Sequence, residues 1–200
     1  GGANSTNKYY NLTVTNVRDG GIYLLGNTSF PDLACEIGTS ACATRNTISN
    51  VGPTSTTFSG AFGMRADAQS GFKIFNNNVT AIAGNQSATR GIYVLTNAGN
   101  SEIYRNQVWD VSVFGSTTTT SSCYGIQTEN LTTGTNNIKI YNNAVSNLYT
   151  SRTSASATRY VFGIFVGVSS ATSSQSYDID NNTVSIGQGL NAAISSTCFE

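Results

Sequence analysis

The sequence predicts an all-β chain, a parallel β-helix (solenoid) of about five to six coils, each with three short strands and corner loops of variable length. Three observations predict it: an Asn-containing turn that recurs between two short strands, a repeat unit running through the whole chain, and columns of like residues that emerge once the turns are set in register. The 200 residues therefore read as one continuous stack, with a single β-helix segment spanning residues 1–200.

The turn comes first. Its copies are Arg45-Asn46-Thr47-Ile48, Asn76-Asn77-Asn78-Val79, Arg105-Asn106-Gln107-Val108, Asn142-Asn143-Ala144-Val145 and Asn181-Asn182-Thr183-Val184, with a degenerate copy at Asn11-Leu12-Thr13-Val14. Asn tolerates turn dihedrals, and stacked side-chain amides can hydrogen-bond along a ladder. Asn46, Asn77, Asn106, Asn143 and Asn182 are the expected structural ladder, broken by Leu12 in the end coil.

Three strands flank and follow the turn. A pre-turn strand ends at an apolar anchor: Tyr9, Ala43, Ile74, Ile103, Ile140 or Ile179. A post-turn strand starts at Val14, Ile48, Val79, Val108, Val145 or Val184, usually with another apolar residue three positions on. A third strand carries Gly and then an apolar residue: Gly21-Ile22, Gly63-Met64, Gly91-Ile92, Gly125-Ile126 and Gly163-Ile164. These glycines are expected at tight turns, since none forms the G-x-G-x-x-G cradle between strand and helix that phosphate requires. Post-turn anchors lie 34, 31, 29, 37 and 39 residues apart, so the length variation belongs to corner loops. Strands this short build no sandwich, but they pair in parallel with their copies in the next coil at roughly 4.8 Å, giving a rod about 25–30 Å long.

The columns test this register. Neighbours of an inward residue point outward. The residue before each anchor reads Lys8, Cys42, Lys73, Glu102, Lys139, Asp178, alternating in sign from Lys73 onward as cross-strand pairing prefers. The residue after it reads Tyr10, Thr44, Phe75, Tyr104, Tyr141, Asp180. A second outward column, on the Gly strand, reads Tyr23, Arg65, Tyr93, Gln127, Phe165.

Composition narrows the function. Charged residues are 10% of the chain, against roughly 25% in ordinary soluble domains. Ten basic and ten acidic residues balance, which leaves no electrostatic footprint for nucleic acid or anionic lipid. No apolar run is long enough for a membrane span. Disorder is excluded by regularly placed Val, Ile, Thr, Tyr and Phe. The opening Gly1-Gly2-Ala3 carries neither initiator Met nor signal peptide, as expected of a processed or excised segment. Cys35 and Cys42, seven apart in one insertion, are the candidate disulfide and point to an oxidising compartment. Cys123 and Cys198 pair or stay free; spacing does not choose. Two isolated thiols without any His make no metal site, and no cofactor is expected.

The units Gly91-Ile92-Tyr93-Val94, Ile103-Tyr104-Arg105-Asn106 and Val108, and their counterparts Gly163-Ile164-Phe165-Val166, Ile179-Asp180-Asn181-Asn182 and Val184, resemble right-handed parallel β-helix repeats of the pectin-lyase-like superfamily. More narrowly they are similar to the Asn/Ser/Thr-rich repeats of large secreted proteins that Bacteroidetes export by the type IX system. The resemblance covers nearly the whole chain. It implies a right-handed coil, a secreted or cell-surface location, and neighbouring domains of one large polypeptide, or cell-surface and secretion components, as partners.

Enzymes of that superfamily mostly cleave acidic polysaccharides. The hydrolase motifs Asn-Thr-Asp, Asp-Asp, Gly-His-Gly and Arg-Ile-Lys are missing, and the acids are too scattered for a calcium-dependent lyase. Asp178 with Asp180 is the best acidic pair, and Arg65 and Arg105 are candidate bases, but pairing of Asp178 with Lys139, a solvated Asp180 and capping of loops or carbonyls by the arginines are the favoured readings. No catalytic residue is assigned. The expected binding residues are Tyr10, Phe75, Tyr104 and Tyr141, an outward aromatic stripe suited to stacking on sugar rings or on one another. The Thr/Ser-rich loops 112–123 and 150–160 are expected to adjoin as a flap carrying Phe114, Tyr149 and Tyr160. The leading expectation is a non-catalytic stalk or adhesin segment touching polysaccharide; the alternative is part of a polysaccharide lyase or glycoside hydrolase with its catalytic residues elsewhere.

Overall fold

The structure, a computed structural model, describes residues 4–52, 60–85, 88–96, 99–114, 121–129, 136–150, 158–167 and 175–187. Its strands fall into three principal sheets, all parallel. The pre-turn sheet has six strands: Lys8–Tyr9, Glu36–Gly38, Lys73–Phe75, Ser101–Tyr104, Asn136–Tyr141 and Gln175–Asp180. The post-turn sheet also has six: Thr13–Val17, Thr47–Val51, Asn78–Gly84, Gln107–Val113, Ala144–Thr150 and Thr183–Ile186. The glycine sheet has five: Gly20–Leu25, Phe62–Asp67, Ala88–Leu95, Ser121–Glu129 and Arg159–Val166. Each strand pairs with its counterpart one unit away, an arrangement consistent with a parallel β-helix. A small fourth sheet pairs Asp32–Leu33 with Gln69–Ser70 at one corner.

The core runs down the middle as stacked columns. Ile37, Ile74, Ile103 and Ile140 from the pre-turn sheet are each wholly buried, as are Ile48, Val79 and Val108 from the post-turn sheet and Met64, Ile92 and Ile126 from the glycine sheet. β-branched residues dominate because a pleated surface buried on its inner face suits their stiff χ1.

One column differs from expectation. Ile37, not Ala43, is the second inward anchor: Glu36–Gly38 pairs with both Lys8–Tyr9 and Lys73–Phe75. Cys42–Thr44 instead forms a short 3-10 turn between this strand and the Asn46 turn. The sign column is therefore Lys8, Glu36, Lys73, Glu102, Lys139, Asp178, opposite in charge at every step. Two of its pairs are ion pairs, Lys8 to Glu36 at 3.2 Å and Lys73 to Glu102 at 4.0 Å. Exposed pairs contribute about 0–1 kcal/mol each, so their larger role is to penalise slipped register.

The same insertion decides the thiols. Cys35 is free and buried at the start of the Glu36–Gly38 strand, whereas Cys42 lies past its end in the 3-10 turn. An intervening extended strand carries the two sulfurs apart, so the expected Cys35–Cys42 bridge does not form. Cys42 is disulfide-bonded, with a partner outside the described residues. Cys123 is also free, lies in the core, and donates its thiol to the Val111 carbonyl at 3.0 Å. Burial pushes that thiol up to about 12.

The repeated glycines are not at tight turns. Gly21, Gly63, Gly91, Gly125 and Gly163 lie within the third-sheet strands, facing the post-turn anchors across the interior. A Cβ on Gly91 would stand 2.2 Å from Val108 Cγ1 and 2.6 Å from the Gly125 carbonyl oxygen, and its counterparts meet Ile48, Val79, Val145 and Val184 alike. The missing side chain is the space that the next coil's Val or Ile fills.

Left-handed backbone explains the three-residue apolar spacing. Asn16, Asn50, Ala81, Asp110 and Asn147 all have φ between 51° and 58°. Each sits between two buried or half-buried apolar residues, as Ala81 does between Val79 and Ile82. The kink cancels one step of the alternation, so residues three apart both face inward.

Candidate functional site

The Asn turn is the most heavily bonded element. Asn46 Nδ2 donates to Asn77 Oδ1, Asn77 to Asn106, Asn106 to Asn143 and Asn143 to Asn182, at 2.9–3.0 Å throughout. Each amide also donates to the preceding unit's anchor carbonyl: Tyr9, Ile37, Ile74, Ile103 and Ile140 in order. Main-chain N–H groups of Leu12, Asn77, Asn106 and Asn143 complete the set by donating to the next Asn Oδ1. Asn46, Asn77, Asn106 and Asn143 are at most 1% exposed, and three hydrogen bonds to each of the first two side chains and four to each of the others make their burial tolerable. The turn is possible because the residue before most ladder positions (Asn76, Arg105, Asn142, Asn181) takes φ of 51–55°. This site is structural, and it is closed to ligands.

The aromatic stripe lies on the outer face of the pre-turn sheet. Phe75, Tyr104 and Tyr141 stack with centroids 4.9 Å apart and interplanar angles of 9° and 1°. Tyr10 is not brought into this stack: Gly38 stands between it and Phe75 in the column, and Tyr10 is 55% exposed. Stacking consumes the faces that a sugar would use. Both faces of Tyr104 are covered by its neighbours. Tyr141 has Tyr104 on one side only, and the residue across from it in the last strand is Asp180.

That end of the stack opens on a pocket of about 270 Å³ lined by Glu102, Lys139, Tyr141, Asp178, Asp180 and Asn181. The phenol of Tyr141 donates to Glu102 Oε2 at 3.4 Å. Burial, followed by Glu102, raises the Tyr141 phenol above its ordinary value; burial, then Tyr141 and Glu102, pushes Tyr104 up to about 12. A ring face, one ammonium and several carboxylate acceptors can orient a polyol: the face packs against C–H groups and the acceptors take hydroxyls. Among the described residues no group of three or more His, Cys, Asp and Glu is placed to hold a metal ion.

The second outward column is also self-engaged. The Arg65 guanidinium lies between the rings of Tyr23 and Tyr93, 4.9 and 5.1 Å from their centroids, and bonds Asp67 at 2.6 and 3.1 Å. Tyr23 donates to the same carboxylate at 2.7 Å. Arg90 lies 4.1 Å from the Tyr93 centroid and bonds Gln127, which in turn bonds Glu129. Sequence reasoning found this column but missed Arg90, Asp67 and Glu129, whose alternation with aromatics was the available signal. Arg105 occupies a turn position with φ of 55°, next to the stack and away from the Arg65 cluster.

The expected flap falls partly outside the described residues, as do Cys198 and residues 115–120 and 151–157. Of its aromatics, Phe114 and Tyr149 are half-buried, while Tyr160 is exposed and stacks on Phe162. Tyr149 lines an open groove of about 570 Å³ together with Gly52, Ala81 and Ala83. Among the described residues no helix is long and apolar enough to cross a membrane. Comparison of the chain with protein-family models, with curated proteins and with solved structures found no match.

Proposed function

We propose that this chain is a non-catalytic segment of a secreted or cell-surface protein, a right-handed parallel β-helix of five to six coils that serves as a stalk or adhesin. Its contact with polysaccharide is at the Tyr141 end of the aromatic column. One observation carries the reading: the polar and aromatic columns bond to themselves along the axis, and the Tyr141 pocket is where a ring face, an ammonium and carboxylates remain turned outward together. The disulfide at Cys42 supports an oxidising, extracytoplasmic setting. The right-handed coil follows the strong general preference of parallel crossovers, and the resemblance to type IX-exported repeats supports neighbouring domains of one polypeptide as partners.

A glycan array tests the binding half. Wild type and Phe75→Ala should retain the same glycans, because neither face of Phe75 is open to a sugar: Tyr104 covers one and Gly38 lies against the other. Tyr141→Ala and Asp180→Ala should lose them. No glycan retained by wild type, or equal retention by Tyr141→Ala, refutes the contact.

A further inference from the structure

A second polar column runs down the outer face of the post-turn sheet. Asn16, Asn50, Ala81, Asp110 and Asn147 lie opposite one another in successive strands, each at a φ of 51–58°. Their side chains form a partial ladder: Asn50 Nδ2 donates to Asn16 Oδ1 at 3.5 Å, and Asn147 Nδ2 donates to Asp110 Oδ1 at 3.2 Å. Ala81 interrupts it. Asn and Asp enter left-handed backbone more readily than Ala, because their short polar side chains bond locally. Ala81 is thus the one misfit in the column, and broken local rules concentrate at functional sites.

The missing side chain leaves a slot that opens on the groove of about 570 Å³, which Asn16, Asn50, Ala81, Asp110 and Tyr149 all line. Both walls of the slot are acceptors. Asn50 spends its Nδ2 on Asn16 and keeps Oδ1; Asp110 gives Oδ1 to Asn147 and keeps Oδ2. Among the described residues neither remaining oxygen has a hydrogen-bond partner, and Asp110 takes part in no ion pair.

We infer that this slot binds the guanidinium of an arginine carried by an extended segment of a partner polypeptide. The occupant must donate toward both walls and offset the Asp110 charge, which excludes carboxylates and phosphates and leaves a cation with N–H groups. The walls stand two strand spacings apart, roughly 9.6 Å. An ammonium joins acceptors at most about 5.6 Å apart, whereas the planar guanidinium fork adds its own width and reaches about 8 Å. Rotation of the exposed Asn50 and half-buried Asp110 side chains closes the rest. The groove runs from Asn16 to Tyr149, four spacings or about 19 Å, which holds about six residues of extended chain. It shares no residue with the Tyr141 pocket, and the slot lies between the second and fourth strands of its sheet, so the inference stands apart from the glycan contact.

Nuclear magnetic resonance titration of the isotope-labelled 200-residue chain tests it, with a short Gly/Ser peptide carrying one central arginine as the probe. The Asn50 side-chain amide and the Asp110 main-chain amide should shift saturably. Lysine in place of the arginine should bind roughly tenfold more weakly, and so should N-acetyl-arginine amide, which lacks the flanking chain. Asp110→Asn should weaken the arginine peptide roughly fivefold or more. Ala81→Asn fills the slot: it should abolish the shifts while raising the thermal midpoint by about 2–4 °C, since Asn suits the φ of 53° and extends the ladder. That rise separates lost binding from a lost fold. The absence of a saturable shift overturns the inference, as does undiminished binding by the lysine peptide or by the Ala81→Asn chain. Equal binding by N-acetyl-arginine amide overturns the extended partner.

Discussion

Substitution of Asn106 by Ala should cost more than almost any other single change in the chain. Asn106 is wholly buried, and its amide makes four hydrogen bonds. It donates to Ile74 O at 2.9 Å and Asn143 Oδ1 at 3.0 Å, and accepts from Asn77 Nδ2 at 2.9 Å and Asn77 N at 3.1 Å. Alanine removes all four and strands two buried donors, both on Asn77. Asn143 Oδ1 keeps a partner in the Asn106 main-chain N–H. At about 1–3 kcal/mol for each stranded buried group, the loss is roughly 2–6 kcal/mol. A typical domain has only about 5–15 kcal/mol in all. Asn182→Ala provides the internal comparison. It likewise leaves two donors on Asn143, but the Asn182 side chain that it removes is only half-buried, so water can enter the vacated position and replace the bonds, and about 1 kcal/mol or less is expected. Urea titrations followed by circular dichroism and by Trp109 emission give both values. A cost for Asn106→Ala below about 1 kcal/mol, or no greater than that of Asn182→Ala, would refute the ladder as a source of stability.

Further outcomes follow from other columns. Gly91→Ala drives a Cβ to 2.2 Å from Val108 Cγ1 and should destabilise by about 1–3 kcal/mol; pairing it with Val108→Ala should return part of that loss in a double-mutant cycle. Tyr93 and Tyr104 are both pushed up to about 12, chiefly by burial, so the fold favours their neutral forms. The stability this represents is fully present below pH 10, the ordinary phenol value, and is lost as pH rises toward 12, with ultraviolet phenolate absorbance as the readout. Early titration of all phenols in the folded chain would contradict it. In alkylation followed by peptide mapping, Cys35 and Cys123 should stay unlabelled until denaturation, and Cys42 until reduction; native labelling of Cys123 would show that the core is open there.

Much of the architecture was legible because a stacked unit writes each spatial column into sequence at a fixed offset. Ile74, Ile103 and Ile140 could be aligned from the Asn turns alone, and the parallel pairing of their strands follows. The offset failed at one unit. Ile37 stands eleven residues before Ile48, where the other anchors stand five before theirs, because the 3-10 turn at Cys42–Thr44 intervenes. Glu36 carried the missing signal: placed between Lys8 and Lys73 it completes the charge alternation, whereas Cys42 interrupts it. The glycine column was visible, but its cause was not, since the valine that fills each gap belongs to a different sheet. The aromatic stripe was visible too. Its ring orientation was not, because alternation tells which side a residue takes and nothing of how its plane is turned.

The direction of the asparagine bonds has a consequence of its own. In each bond between two ladder side chains the amide donates toward the C-terminal end, and none of these four bonds runs the other way. A reversed or inverted unit spliced into such a series would face donor with donor, so only same-sense duplication can lengthen it. Growth of this kind of polypeptide is thereby restricted to copying whole windings in tandem, while the other two corners, which carry none of these amides, are free to diverge.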